Sequence, residues 1–238
     1  MIGCRCAVCS SSDPRDKRLR SSALVEHMGT TILLDAGPDL RQQMLREHVP
    51  DLDAVLLTHE HMDHVAGMDD LRSFSFAHQP PKDIPVYANA RTLDAVKRVY
   101  AYAFNNNKYP GIPQFELHQV DSRPFGLNGL EITPVEVMHQ YLPVTAYRIG
   151  PLAYVTDAKW IREEEKRKLK GAEVLVVNAL RHQEHPSHFN VAEALALVNE
   201  LAPVRAYFTH ISHLMGPHAT VQLPAGVELA HDGLRVEI

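Results

Sequence analysis

A layered α/β fold is what this sequence predicts, and three observations predict it. Short apolar runs alternate with amphipathic stretches along the chain. An opening pair of strands gives way to strand–helix alternation, the order expected of sheets covered by helices. Four apolar runs lead directly into a His or an Asp, so separate strands can deliver side chains to one place.

The elements follow in order. Residues 22–26 and 31–35 read as strands flanking Met28-Gly29, a hairpin. Residues 38–48 read as a helix with Pro38 in its first turn and Leu40, Met44 and Leu45 on one face. Residues 53–58 form a buried strand running into His59, and 91–102 and 161–169 are expected to be helical. The polar run 105–111 is a loop. Later strands are expected at 131–137, 145–149, 153–156, 173–178 and 205–209. Asn190, with Glu193 three residues on, caps a helix over Val191–Leu201 that Pro203 closes. Two last strands, 227–230 and 234–238, are expected to turn around Asp232-Gly233. No repeat, low-complexity tract or Gly/Ser linker interrupts this, so one domain over residues 1–238, or one built from two packed halves, is expected.

Composition narrows the function classes. Apolar residues are 45% and charged residues 22%, an ordinary globular balance. No apolar stretch is long enough for a membrane span and no leader pattern opens the chain, so a soluble cytoplasmic protein is the default expectation. A formal charge of −5 argues against a broad surface for nucleic acid, although bound metals are outside that count. The oligomeric state is open, a homodimer included. Cys4, Cys6 and Cys9 are the only cysteines; an odd, crowded set is a poor disulfide framework and a good metal clip. Histidine is abundant, at fifteen residues.

The arranged histidines stand where strands end. Leu56-Leu57-Thr58 runs into His59, Glu136-Val137-Met138 into His139, Tyr154-Val155-Thr156 into Asp157, and Tyr207-Phe208-Thr209 into His210. Imidazole and carboxylate suit zinc, manganese and iron. The run His59-Glu60-His61-Met62-Asp63-His64 is the most specific feature, since about 0.003 chance matches to its pattern are expected in a chain of this composition. His59 and His61 alternate along an extended turn and can grip one metal, with Asp63 and His64 facing a second. A lone histidine is more often a partly buried structural residue; this cluster is not lone.

The run at 59–64, with His139, Asp157 and His210 in that order, resembles the metallo-β-lactamase superfamily. The resemblance implies an αβ/βα four-layer sandwich with a binuclear centre. His59, His61 and His139 would hold one metal, Asp63, His64 and His210 the other, and Asp157 would bridge them. The early Gly-Cys-x-Cys-x-x-Cys and the late Thr-His-Ile-Ser-His narrow the likeness to the group around the phosphoribosyl cyclic phosphate phosphodiesterase of bacterial phosphonate degradation. In that group the clip and the second histidine hold a structural zinc, here Cys4, Cys6, Cys9 and His213. His188 corresponds to a residue implicated there in acid catalysis; read alone it is a loop histidine, with His182 and His185 as alternatives. Relatives carry a first strand before the clip, so a longer native N-terminus is a further expectation.

The implied enzyme is a metal-dependent hydrolase acting on a small (cyclic) phosphodiester, with two active-site zinc or manganese ions and one structural zinc. A bridging hydroxide oriented by Asp63 would attack phosphorus, and His188 would protonate the departing alkoxide. Arg181 and the 105–111 loop with Tyr109 are candidates for the pocket rim, ordinary loop roles being at least as expected. Two other readings stay open: a tRNA 3′-processing nuclease, not favoured because no extended basic stretch is visible, and a metal-binding or interaction module without catalysis.

Overall fold

A computed structural model describes residues 1–105 and 110–238. Tyr109, one of the expected rim residues, lies outside the described residues. The chain divides into two compact units, one of Arg20–Asp121 and one of Met1–Leu19 with Ser122–Ile238.

The first unit carries a five-stranded sheet. Strands β1 (Ala23–His27) and β2 (Thr30–Leu34) pair antiparallel. Met28 and Gly29 both take positive φ at the turn (47° and 80°), the requirement of a two-residue hairpin matched to strand twist. Then follow α1 (Leu40–Glu47), β3 (Ala54–Leu56), α2 (Met62–Val65), α3 (Arg72–Phe76), β4 (Ile84–Ala88), α4 (Ala90–Val99), α5 (Ala101–Phe104) and β5 (Phe115–Gln119). The sheet runs β1-β2-β3-β4-β5, and its last three pairings are parallel, which is why long crossovers separate those strands. Leu33, Val55, Leu57, Met68, Val86 and Val96 belong to its buried core.

Strands β4 and β5 are absent from the sequence-based expectation. Prolines at 80, 81 and 85 disfavour a strand in the β4 region, yet Ile84, Val86 and Ala88 alternate inward in the observed strand. The face of α1 also differs: Leu40 is buried, but Leu45 is exposed and Gln43 takes an interior position. Gln43 earns that position by donating its amide N–H to the Arg20 carbonyl at 2.9 Å.

The second unit carries a seven-stranded mixed sheet. Strands β6 (Phe125–Leu127), β7 (Leu130–His139), β8 (Leu142–Ile149) and β9 (Leu152–Val155) form an antiparallel meander. After α6 (Glu163–Leu169), strands β10 (Val174–Asn178), β11 (Arg205–Thr209) and β12 (Val227–Leu229) join in parallel, α7 (Val191–Leu201) bridging β10 and β11. The expected capping box is present: the Asn190 side chain accepts from the Glu193 N–H and Glu193 accepts from the Asn190 N–H, each at 2.9 Å. The expected strand at 234–238 does not form. The chain does turn after His231, but its tail is tied by Arg205 donating to the Glu237 carbonyl, without a ladder.

Candidate metal centre

The five-stranded unit holds the first donor set. Beyond β3 the chain reaches Thr58 and His59, both fully buried. Burial of such polar groups demands partners. Asp35, just after β2, supplies them: its carboxylate accepts from the Thr58 N–H at 2.8 Å, from the Thr58 hydroxyl at 2.9 Å, and from His64 Nδ1 at 2.7 Å. These bonds fix protons. A carboxylate only accepts, so His64 carries its hydrogen on Nδ1 and its lone pair on Nε2. The Thr58 hydroxyl spends its hydrogen on Asp35, so at 3.0 Å it accepts from His59 Nδ1, and His59 too presents its lone pair on Nε2. That nitrogen lies 3.0 Å from His61 Nδ1. Two nitrogens bound to one tetrahedral zinc at its usual bond length span about 3.3 Å, so the pair fits a shared metal. Within the motif, Glu60 is turned to an ion pair with Arg91 at 2.5 Å, while Asp63 Oδ2 lies 3.8 Å from His64 Nε2.

Backbone packing places this motif. Ala36 N–H donates to the His64 carbonyl at 2.7 Å and Gly67 N–H to the Ala36 carbonyl at 2.8 Å. The two segments touch main chain to main chain at two glycines. A Cβ on Gly37 would stand 2.3 Å from the Asp63 carbonyl oxygen, and one on Gly67 would stand 2.0 Å from the Gly37 carbonyl oxygen.

The seven-stranded unit holds the second set. His139 is the last residue of β7 and donates Nδ1–H to the Ser187 carbonyl at 2.8 Å, which again puts the lone pair on Nε2. Asp157 follows β9 with φ of 56°, held by Asn178, whose side chain accepts from the Ala158 N–H at 2.7 Å and donates to the Ala158 carbonyl at 3.0 Å. His210 follows β11 with φ of 52°, its Nε2 3.2 Å from Asp157 Oδ1. Asp35, next after β2, shares this left-handed backbone with φ of 61°.

His188 is buried rather than a surface loop residue. Its ring stacks on His210 (centroids 4.9 Å apart) and meets His139 edge-on at 4.5 Å, and its Nδ1 is 4.0 Å from an Asp157 oxygen. Burial pushes its pKa down to about 3, against an opposing pull from Asp157. His139, Asp157 and His188 offer donor atoms within 4.8 Å of one another, so His188 could serve as a ligand as well as an acid. Of the alternatives, His185 lies 5.0 Å from the His188 ring, whereas His182 bonds the Met215 carbonyl at 3.2 Å. Arg181 spends its guanidinium on the carbonyls of Gln183 and Glu184, the ordinary loop role.

A third set stands apart in the same unit. The four donors of Cys4, Cys6, Cys9 and His213 lie within 4.8 Å of one another. His213 Nδ1 is 3.5 Å from the Cys4 sulfur and 3.4 Å from the Cys6 sulfur. A tetrahedral zinc gives sulfur–nitrogen edges of about 3.6 Å, so this set fits a closed site. Cys6 is lowered to about 6 by a backbone hydrogen bond from Cys9 and by His213, which favours the thiolate that zinc binds. Replacing Cys6 with serine should remove one equivalent of zinc per chain by metal analysis and lower the melting temperature. Unchanged zinc content would contradict the assignment.

Sequence reasoning missed Asp35, Asn178 and the Ser187 carbonyl. None has a motif of its own; each acts by orienting a donor from a distant segment. Asp35→Ala is expected to weaken metal binding 10- to 100-fold, the usual cost of removing a carboxylate behind a ligating histidine. Competition with a chelator of known affinity measures it, and an unshifted curve would count against Asp35 as an orienting residue.

Comparison with known proteins identifies the family. Residues 30–211 match the family model described as "Beta-lactamase superfamily domain". The crystal structure of a diphosphatase from the PhnP family superposes with a TM-score of 0.91 at 42% identity, covering 98% of this chain and 89% of that one. An octanoyltransferase of Porphyromonas gingivalis is 40% identical across the whole of this chain, which spans about half (48%) of that protein's length. A ribonuclease Z of Bradyrhizobium diazoefficiens is 35% identical over 103 residues, 42% of this chain and 34% of the relative. Two sheets with their helices, a match over most of the length and a near-complete superposition lead to one conclusion: the chain belongs to the metallo-β-lactamase-fold hydrolase superfamily.

Proposed function

We propose that this protein is a metal-dependent phosphodiesterase for small, including cyclic, phosphodiesters. The observation that carries the reading is the donor chemistry: His59, His64 and His139 each have Nδ1 engaged by an oxygen that directs the Nε2 lone pair outward. Metal-ligating histidines almost always have the other ring nitrogen held in this way, which supports the assignment. His59, His61 and His139 are assigned to one metal, Asp63, His64 and His210 to a second, and Asp157 to both; zinc and manganese both suit these donors. Two such ions supply Lewis acidity toward phosphoryl oxygens and toward water at neutral pH. The 42% identity to a diphosphatase supports hydrolysis at phosphorus.

The chain's own groups divide the remaining work. Asp63 orients the attacking water by accepting its hydrogen. His188 protonates the alkoxide that leaves phosphorus, a demand that grows with the basicity of the leaving group. Burial disfavours the protonated form of His188 in the metal-free protein, so an anionic substrate beside it would be what holds the proton it donates.

The test is a panel of linear and cyclic diesters with metal analysis on the same sample. We expect turnover of at least one alkyl diester and about three metals per chain, two catalytic and one structural. No turnover with all metals bound would favour a non-catalytic metal-binding module. The ribonuclease Z likeness keeps a nuclease as the second reading, so a precursor tRNA belongs in the panel. Cleavage of the tRNA with no small diester accepted would shift the assignment to it.

A further inference from the structure

A guanidinium stands beside the first donor set without a structural task that accounts for it. Arg20 is anchored by its main chain: its N–H donates to the Asp39 carboxylate at 2.8 Å, and its carbonyl accepts from the buried Gln43 amide at 2.9 Å. Its side chain is 61% exposed, and one guanidinium nitrogen lies 3.9 Å from Asp63 Oδ2. That same oxygen is 3.8 Å from His64 Nε2. A cation on a fixed root is therefore one carboxylate away from the nitrogen assigned to the second metal. An ion pair this long and this exposed contributes little to stability. Its position suits an anion that meets the metals and a guanidinium together, and the planar fork of arginine matches two phosphoryl oxygens.

We propose that Arg20 binds nonbridging oxygens of the substrate's phosphate and selects anionic phosphoesters over neutral esters at this centre. The proposal rests on the phosphodiesterase reading above, and its test separates the two. Metal-loaded wild type, Arg20→Gln and Arg20→Lys are compared in calorimetric binding of inorganic phosphate and in steady-state turnover of the best diester. Losing a hydrogen bond to a charged group should weaken phosphate binding about 10- to 100-fold in Arg20→Gln. KM should rise by a similar factor with kcat nearly unchanged, the mark of a contact made equally in ground and transition states. Arg20→Lys should fall between, since it keeps the charge and loses the fork. Metal content and melting temperature should stay at wild-type values, because the anchoring bonds belong to the main chain.

Unchanged phosphate affinity in Arg20→Gln, or no phosphate binding by the wild type, would overturn the proposal. So would a fall in metal content in Arg20→Gln, which would make the residue a support for Asp63. If Arg20→Gln loses phosphate binding while no diester is turned over by any form, the anion site stands and the phosphodiesterase reading fails.

Discussion

Gly67→Ala is expected to destabilise the protein by at least roughly 3 kcal/mol, at the upper end of what overpacking costs. The added methyl would stand 2.0 Å from the Gly37 carbonyl oxygen and 2.8 Å from the Leu40 Cβ. A backbone carbonyl cannot swing aside as a side chain can, so the α2 turn carrying Asp63 and His64 must move or the unit must open. For a chain of this size the melting temperature should fall by roughly 6–12 °C. Gly126→Ala is the control, because nothing lies within 4 Å of a Cβ placed there. Equal melting temperatures for the two variants would show that the close approach of these segments is not what the glycine serves.

His188→Ala is expected to lower turnover of an alkyl phosphodiester by about a hundredfold or more, the usual contribution of a general acid facing a poor leaving group. A nitrophenyl diester needs no such proton and should lose far less. Equal losses on the two substrates would instead make His188 a metal ligand, a role its 4.0 Å approach to Asp157 also allows, and metal analysis would then find less metal bound. Wild-type activity on the alkyl diester would dismiss both roles.

The same residue carries a pH signature in the metal-free protein. Its folded pKa is depressed to about 3, while the unfolded chain takes that proton near the ordinary histidine value of 6.5. Between those values the unfolded state holds the extra proton, so stability rises with pH and is lost as pH falls from about 6.5 toward 3. Chemical denaturation at pH 7 and pH 4.5 should show a smaller acid loss for His188→Ala than for the wild type. Parallel losses would contradict the burial argument.

Much of the donor chemistry was legible because it is local. Histidine and aspartate at fixed short spacings, following apolar runs, stand out as candidate metal ligands whatever surrounds them. The Asn190 cap needed only Glu193 three residues on, and the Met28-Gly29 hairpin only two flanking strands. Strands β4, β5 and β6 were not legible, since prolines interrupt the first, the second has an unremarkable edge pattern and the third is only three residues long. Nor was Gln43 as the buried face of α1, because its partner is a carbonyl twenty-three residues away.

By itself, then, the sequence determined which residues can hold metal and what chemistry those donors favour. Tertiary structure alone decided how each donor is presented. It placed Asp35 behind His64, Asn178 against the turn after Asp157, and the Ser187 carbonyl on His139. It also took His188 out of water. The physical reason is range: ligand identity is written in single side chains, whereas tautomer, desolvation and backbone approach depend on partners that only folding brings within hydrogen-bond distance.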